Sequence, residues 1–275
     1  MDKIQDYGVI GNCRCAALIS KSGAIDWLCW PRFDSEPIFA YLLDSSRGQW
    51  KISPKESHQI SRRYIVDTNI LETTFTTSQG KIVLTDLMPV DSEENKKGFL
   101  LPENEILRKL ECPIGKVEFD FKFFIRGLAN DQHFFLRKSP FGIRIELLSG
   151  TLFLRTNVDL VTQKDSILTS LTINEGQVFY FSLTLSEEGP AVLPCMGSTT
   201  EERIESSILW WKSFVAQIQY EGPYRSDVIR SALILKLMNY APSGAMVASV
   251  TTSLPEKLGG DLNWDYRYCW LRDAS

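Results

Sequence analysis

Histidine is scarce in this sequence of 275 residues, and its cysteines do not form a metal-binding pattern. The chain has only two histidines, His58 and His133, and this shortage argues against a serine or cysteine hydrolase triad. Cys13 and Cys15 are closer together than the usual zinc-binding spacing, and the sequence contains no second pair of this kind. We therefore predict no metal and no cofactor, and we interpret the cysteines as structural thiols of a reducing compartment.

Strong charge of one sign and long apolar runs are also missing. The formal net charge is −4 and the sequence pI is about 5.4, so no basic field attracts nucleic acid or an anionic membrane. No window approaches the roughly 18 apolar residues of a membrane span. The start, MDKIQDYGVI, does not resemble a secretory signal. These features predict a soluble, cytoplasmic protein without nucleic-acid or membrane partners, and they leave its oligomeric state open.

Residues 1–195 show the alternating polarity of β-strands. FGIRIEL and TLFLRT flank Ser149-Gly150, and NILETTFTT and KIVLTDL flank 78–80, so each pair predicts a hairpin. Many short strands separated by glycine turns are typical of an antiparallel β-sandwich, which we predict for 1–195. In VEFDFKFFIRG, one face of the predicted strand is apolar throughout: Val117, Phe119, Phe121, Phe123 and Ile125.

The hydrophobic period changes near residue 196. Ser198 or Thr199 with Glu201 or Glu202 forms a predicted capping box. We predict a linker helix within 196–222 and a second helix from about Tyr224 to Tyr240, whose wide apolar surface suggests burial on more than one side. Residues 223–275 are then interpreted as the incomplete beginning of an α domain. The apolar stripe of the linker helix is Ile204, Ile208, Trp211, Val215 and Ile218.

The last thirteen residues, NWDYRYCWLRDAS, combine aromatic rings with ionic side chains. If this stretch is helical, Tyr266 and Trp270 share a face, with Asp273 one turn further. Arg272 is then able to pair with Asp273 or with Asp265. Rings cover the apolar faces of sugars, and Arg and Asp exchange hydrogen bonds with hydroxyls. Spacing alone, however, favours a buried helix start stabilised by an Arg–Asp ion pair.

Three blocks of this sequence resemble glycoside hydrolase family 15, which includes glucoamylases and prokaryotic trehalases. TTSLPEKLGGDLNWDYRYCWLRDAS is similar to the segment that enters its catalytic domain, and RSALILKLMNYAPSGA resembles its first barrel helix. IQDYGVIGNCRCAALISKSGAIDWLCWPRFDSEPIFAYLLD resembles the β-sandwich that precedes that domain in prokaryotic members. The resemblance implies a β-sandwich, a linker helix and the beginning of an (α/α)6 barrel at 223–275. Val250 and Asp261-Leu262 depart from the usual pattern of the family.

The family also implies a function and a set of sugar-binding residues. Arg272 and Asp273 match the pair that binds the 4- and 6-hydroxyls of a terminal glucose, and Trp270 and Tyr266 match aromatic residues of the same −1 subsite. The implied reaction is inverting hydrolysis of an α-glucosidic bond, by a trehalase or a glucoamylase. Both catalytic glutamates are expected beyond Ser275, so we expect the 275-residue chain alone to be inactive.

Several alternatives stay open at this stage. The substrate is an α-glucoside or oligosaccharide, with trehalose and maltooligosaccharides undistinguished. The chain is alternatively a non-catalytic carbohydrate-binding or assembly module from a truncated gene. A helix N-cap at Asp34 or Ser35 is predicted in the loop 32–35, which either shapes the substrate pocket through Arg32 and Asp34 or only packs between domains. Trp27, Trp30 and Trp50 either stack on sugars or, as we favour, lie buried in the sandwich.

Overall fold

The computed structural model of the chain describes residues 3–99, 101–127, 133–187, 192–252, 257 and 259–271. Most of the elements in these ranges are strands, as predicted for the first part of the chain. The strands are β1 Gly8–Gly11, β2 Ala16–Ile19, β3 Ala24–Cys29, β4 Pro37–Phe39, β5 Gln49–Pro54, β6 Gln59–Tyr64, β7 Leu71–Thr76, β8 Gly80–Leu87, β9 Glu105–Phe124, β10 Leu136–Ser139, β11 Gly142–Leu147, β12 Gly150–Thr156, β13 Ser166–Asn174 and β14 Val178–Ser186. The helices are α1 Glu93–Phe99, α2 Ser198–Val215 and α3 Arg225–Met238, after a short 3-10 turn at Ile4–Asp6.

Strand β9 joins two antiparallel sheets. Its first half pairs with β8 and β14, whereas its second half pairs with β5 and β13. Gly115 lies between the two halves with φ of 74°, and a Cβ atom there would lie 2.2 Å from the carbonyl oxygen of Gln79. Only glycine tolerates both the positive φ and this close approach. One sheet therefore holds β1–β5 and β13, and the other holds β6–β8, β10–β12 and β14.

The core lies between these two sheets. Phe121 of β9 and Phe181 of β14 have ring centroids 5.2 Å apart, and Phe39 meets Phe123 edge-on at 5.8 Å. Both predicted hairpins, β7–β8 and β11–β12, are confirmed. The predicted apolar face is confirmed too, because all five of its members are buried: Val117, Phe119, Phe121, Phe123 and Ile125.

The three tryptophans of the sandwich are structural. Trp30 and Trp50 are 1% and 0% exposed, and Trp27 is 2% exposed, so none offers a face to a sugar in solution. The indole N–H of Trp27 donates to the carbonyl oxygen of Val250 at 2.9 Å. The core interpretation is confirmed, and Trp27 in addition ties β3 to the C-terminal part of the chain.

Helix α2 packs on the outside of the sandwich through the predicted stripe. Ile204, Trp211 and Val215 are buried, and Ile208 and Ile218 are partly buried beside them. The predicted capping box is wrong, since the N-cap is Gly197, whose N–H donates to the Thr200 hydroxyl at 3.2 Å. Glu201 instead forms an ion pair with Lys109 of β9 at 2.8 Å. The acidic side chain is thus used to dock the helix onto the sheet.

Helix α3 buries one stripe, at steps of four residues. Ile229, Leu233 and Leu237 are buried, while Leu235 is 48% exposed. Within the described ranges only one face of α3 meets the sandwich, so the burial of a second face stays a prediction. Asn69 fixes the contact by donating to the carbonyl oxygen of Leu233 at 3.0 Å. Within the described ranges, no helix combines the length and the apolar character that a membrane span requires.

Candidate functional site

The segment 259–271 contains turns and bends rather than the predicted helix. Tyr266 and Trp270 nevertheless come together, with ring centroids 5.1 Å apart and planes inclined by 50°. The indole N–H of Trp270 donates to the carbonyl oxygen of Asp265 at 3.1 Å, which closes the turn and fixes the ring. Trp264 meets Trp270 edge-on at 6.3 Å. A turn thus produces the aromatic surface that was expected from a helical face.

Backbone hydrogen bonds attach residues 264–270, which we call the aromatic turn, to residues 248–252. The N–H of Ala248 donates to the carbonyl oxygen of Tyr268 at 3.0 Å, and that of Ser249 donates to the carbonyl oxygen of Tyr266 at 2.8 Å. An isolated antiparallel bridge joins Thr252 to Asp265. Because Val250 in turn accepts from Trp27 of β3, the turn is connected to the sandwich at its base.

Asp265 is paired with Arg267, whereas Arg272, the partner that the sequence suggested, lies outside the described residues. The Asp265 carboxylate accepts from Arg267 Nη2 at 2.8 Å and from Nε at 3.0 Å. Hydrogen bonds from Arg267 hold the pKa of Asp265 below its ordinary value of 3.8, and the same bonds raise the pKa of Arg267. Asp265 is therefore ionised near neutral pH and is unsuited to act as a general acid, which needs a raised pKa.

Arg267 was missed in the sequence analysis, although its spacing of two from Asp265 is a pairing signal within a turn. Its side chain is 14% exposed. Its Nη1 donates to the carbonyl oxygen of Ser35 at 2.9 Å and lies 3.3 Å from Cys29 Sγ. Burial raises the pKa of the Cys29 thiol to about 12, so the sulfur beside this guanidinium is neutral. The aromatic turn thereby contacts the loop that follows β3.

That loop carries the two other candidate residues. Arg32 Nε donates to Asp34 Oδ1 at 3.0 Å, and these side chains are 58% and 26% exposed. The predicted helix N-cap at Asp34 or Ser35 is wrong, because the Ser35 hydroxyl accepts from the Arg32 N–H at 3.1 Å and β4 follows. The proline at the start of β4 favours an extended residue before it, which opposes a helix here.

A cleft of about 290 Å³ separates the 32–34 loop from the aromatic turn. Tyr266 and Trp270 are not among its lining residues, so the loop and the ring pair meet only through neighbouring positions. Arg272, Asp273 and Glu256 lie outside the described residues. Across the ranges that are described, no cluster of ligands for a metal ion is found. The cleft is lined by Arg32, Phe33, Asp34, Tyr240, Ala245, Val247, Arg267, Tyr268 and Cys269.

The aromatic turn, which is held in place by hydrogen bonds, and the cleft beside it carry groups of the kind that bind sugars. The two neighbouring rings, inclined by 50°, give an apolar surface. The cleft beside them has guanidinium, carboxylate and phenol groups that match sugar hydroxyls. Asp34 and Asp265 are each engaged by an arginine. The described part of the site is therefore suited to binding a sugar and orienting it.

Comparison with known proteins relates both parts of the site to carbohydrate hydrolases. Residues 1–100 match the family described as "Trehalase-like, N-terminal", and residues 222–275 match "Glycosyl hydrolases family 15". The first match contains the 32–35 loop and the second contains the aromatic turn. The contacts of Arg267 with Cys29 and Ser35 therefore join the two matched regions.

Individual relatives cover nearly the whole chain. A trehalase of Thermoplasma volcanium is 35% identical over 99% of this chain and 43% of its own length. Trehalases of Mycolicibacterium smegmatis and Sulfolobus acidocaldarius (Trehalase 1) are each 31% identical over 99% of this chain. The chain spans 43% and 44% of the lengths of these two relatives, so it corresponds to less than half of each protein.

Proposed function

Residues 222–275 of this chain belong to glycosyl hydrolases family 15 and residues 1–100 to the trehalase-like N-terminal family, and from this premise we propose that the chain holds the terminal glucose of an α-glucoside for hydrolysis. The observation that carries the proposal is the Tyr266–Trp270 ring pair, braced by the bond from Trp270 to the Asp265 carbonyl. A fixed aromatic surface binds a sugar face at little entropic cost.

Arg272 and Asp273 complete this proposal as hydroxyl-binding residues. The family resemblance assigns them to the 4- and 6-hydroxyls of the glucose, next in sequence to the ring pair. A charged pair that bonds adjacent hydroxyls is geometrically strict, since a sugar of the wrong stereochemistry leaves buried charge without partners. We propose these residues as the part of the subsite that selects glucose over its epimers.

Hydrolysis itself needs two further carboxyl groups. An inverting mechanism requires an acid and a base about 6.5–9.5 Å apart, with the pKa of the acid raised. Asp265, with its lowered pKa, does not fit the acid role. We propose that two glutamates on polypeptide beyond Ser275 supply this chemistry, and that 223–275 begin an (α/α)6 catalytic domain after the sandwich at 1–195 and the linker at 196–222.

Trehalose is the substrate we favour, because the relatives described above are named trehalases. Trehalose places a second glucose directly beside the first, and the cleft of about 290 Å³ lies beside the aromatic turn. Maltose-type substrates, as used by glucoamylases, share the same terminal glucose. The choice between them is therefore an outcome of the test.

Sugar binding is the direct test of this proposal. The chain is labelled with 5-fluorotryptophan, and each of its seven tryptophans is assigned in the 19F NMR spectrum by substitution with phenylalanine. Titration with trehalose, maltose and glucose is expected to shift the Trp270 resonance saturably. Galactose, which differs at the 4-hydroxyl, is expected to bind at least about tenfold more weakly, because one polar partner is lost.

The titration also contains its own controls. The Trp50 resonance, from a fully buried ring, should not move with any sugar. A Trp270 resonance that is unchanged by trehalose, maltose and glucose would refute the proposed function. Equal affinity for galactose and glucose would instead remove the proposed roles of Arg272 and Asp273. A preference for maltose over trehalose would indicate glucoamylase-type specificity.

The 32–35 loop is proposed to contact the second sugar of trehalose. We expect Arg32→Ala to weaken trehalose binding about fivefold and to leave glucose binding unchanged, because a hydrogen bond from a charged donor of this exposure contributes about 1 kcal/mol. The same 19F titration measures both constants. Arg63→Ala is the matched control, since Arg63 is also exposed and pairs with a single glutamate, Glu72. If Arg32→Ala binds trehalose and glucose as the unaltered chain does, the loop does not contact the sugar and serves only in packing between domains.

A further inference from the structure

Arg267 joins two segments that are distant in the sequence. Its guanidinium donates to the Asp265 carboxylate through Nε and Nη2, and to the Ser35 carbonyl oxygen through Nη1. Ser35 is 232 positions earlier in the chain. All three nitrogens of the guanidinium are therefore engaged with protein acceptors, on the aromatic turn and on the loop after β3.

Asp265 continues this connection to the ring pair. Its carboxylate accepts from Arg267, both from the side chain and from the backbone N–H at 3.0 Å, and its carbonyl oxygen accepts from the Trp270 indole at 3.1 Å. A continuous path of hydrogen bonds thus runs from Ser35 through Arg267 and Asp265 to Trp270. The path connects the 32–35 loop at one end with the Trp270 ring at the other.

Burial distinguishes Arg267 from the other arginine of the cleft. The Arg267 side chain is 14% exposed, whereas that of Arg32 is 58% exposed. Hydrogen bonds away from water are stronger and more directional. The planar guanidinium fork bonds a carboxylate and a carbonyl at fixed angles, which a lysine ammonium cannot reproduce.

We propose that Arg267 is a positioning residue for the terminal glucose: it acts on that sugar through the orientation of the Tyr266–Trp270 pair, which it holds against the 32–35 loop. The inference rests on the proposed function of that pair. As a consequence, the trehalase-like N-terminal region affects the affinity for glucose through the hydrogen bond between Ser35 and the Arg267 guanidinium. The loop 33–35 is then part of the support of the glucose site.

Arg267→Ala and Arg267→Lys test this inference in the 5-fluorotryptophan-labelled chain. In both variants the Trp270 19F resonance is expected to move before any sugar is added. Glucose affinity is expected to fall at least about tenfold, because small misplacements of a binding group have large effects. Lysine should not rescue binding, since it keeps the charge but lacks the fork. Methylguanidinium added to Arg267→Ala should return the resonance towards its original position.

The titration of Asp265 provides a second readout, which reports directly whether the Arg267–Asp265 pair is lost. Its pKa is lowered in the intact chain, so the pair persists as pH falls below 3.8 and is lost as pH falls through that lowered pKa. In Arg267→Ala the pKa should rise towards 3.8, as followed by 13C NMR of the carboxylate. Arg63→Ala, which lies on β6, should change neither the Trp270 resonance nor the Asp265 pKa.

The outcomes separate this inference from the proposed function. If the unaltered chain binds no glucoside, the proposed function fails, while the resonance and the pKa still report whether Arg267 orients the turn. If both Arg267 variants keep the Trp270 resonance and the glucose affinity of the unaltered chain, the inference is wrong. Should Arg267→Ala not fold, Arg267→Lys with normal melting but a displaced Trp270 resonance supports it, and an undisplaced resonance overturns it.

Discussion

Replacing Asp86 by alanine is expected to lower the free energy of unfolding by about 3–5 kcal/mol, because it leaves a buried guanidinium without its counter-ion. Asp86 of β8 lies opposite Arg108 of β9, and both side chains are 0% exposed. The carboxylate accepts from Arg108 Nε at 2.7 Å. Arg108 also donates to the carbonyl oxygens of Trp50 and Gly23, so the pair connects the two sheets. Urea unfolding followed by circular dichroism measures the change.

Glu118→Ala is the matched control for this prediction. Glu118 is also a β9 position in an ion pair, but the side chains of Glu118 and Lys55 are 54% and 44% exposed. An exposed pair contributes about 0–1 kcal/mol, so this variant should unfold near the midpoint of the unaltered chain. Replacing Asp86 and Arg108 together by leucine and methionine should cost less than Asp86→Ala alone. A loss below about 1 kcal/mol for Asp86→Ala would contradict the assignment of a buried, structurally required pair.

Trp270→Ala is expected to weaken glucose binding about 30–150-fold, which corresponds to about 2–3 kcal/mol of lost aromatic contact. The substitution removes the ring that stacks near Tyr266 and the indole N–H that closes the turn on Asp265. Isothermal titration with trehalose and glucose measures the effect. Trp270→Phe should lose less, because it keeps a flat ring while removing only the N–H donor.

Trp210→Ala serves as the comparison for Trp270→Ala. Trp210 is also a partly buried tryptophan, but it lies on α2 against Trp211, with centroids 4.8 Å apart. Its removal should lower thermal stability and leave sugar affinity unchanged. Equal sugar affinities of Trp270→Ala and the unaltered chain would show that the ring pair does not contact the glucose. The proposed function would then lose its main support.

Arg267 links the two regions of the chain that the family models match, residues 1–100 and residues 222–275. The trehalase-like N-terminal region is more than a neighbour of the family 15 segment, since its Ser35 carbonyl and Cys29 thiol surround a guanidinium of the aromatic turn. Trp27 adds a second link by donating to the Val250 carbonyl. Stability of the sandwich and geometry of the proposed glucose site are thereby coupled through a small number of hydrogen bonds.

The sequence allowed the strands and the helix docked by Trp211 to be predicted because their information is local. Alternation along β9 and the turn at 149–150 specify structure from neighbours a few residues apart. The helix start considered for the last thirteen residues is not seen at 263–271, because rings at i and i+4 are compatible with a turn as well. The capping box failed for a tertiary reason, since Glu201 pairs with Lys109 of β9 instead of capping its own helix.

By itself, the sequence determined the β-rich beginning of the chain, the positions of its two long helices and the aromatic composition of the proposed glucose site, because hydrophobic periodicity and short motifs encode these features locally. Only the tertiary structure decided that Asp265 belongs to Arg267, that α3 meets the sandwich through one face, and that the loop after β3 supports the aromatic turn. The last two depend on which distant groups meet when water is removed, and the first depends on the turn that competing contacts impose on residues 265–267. A spacing along the chain does not contain that information.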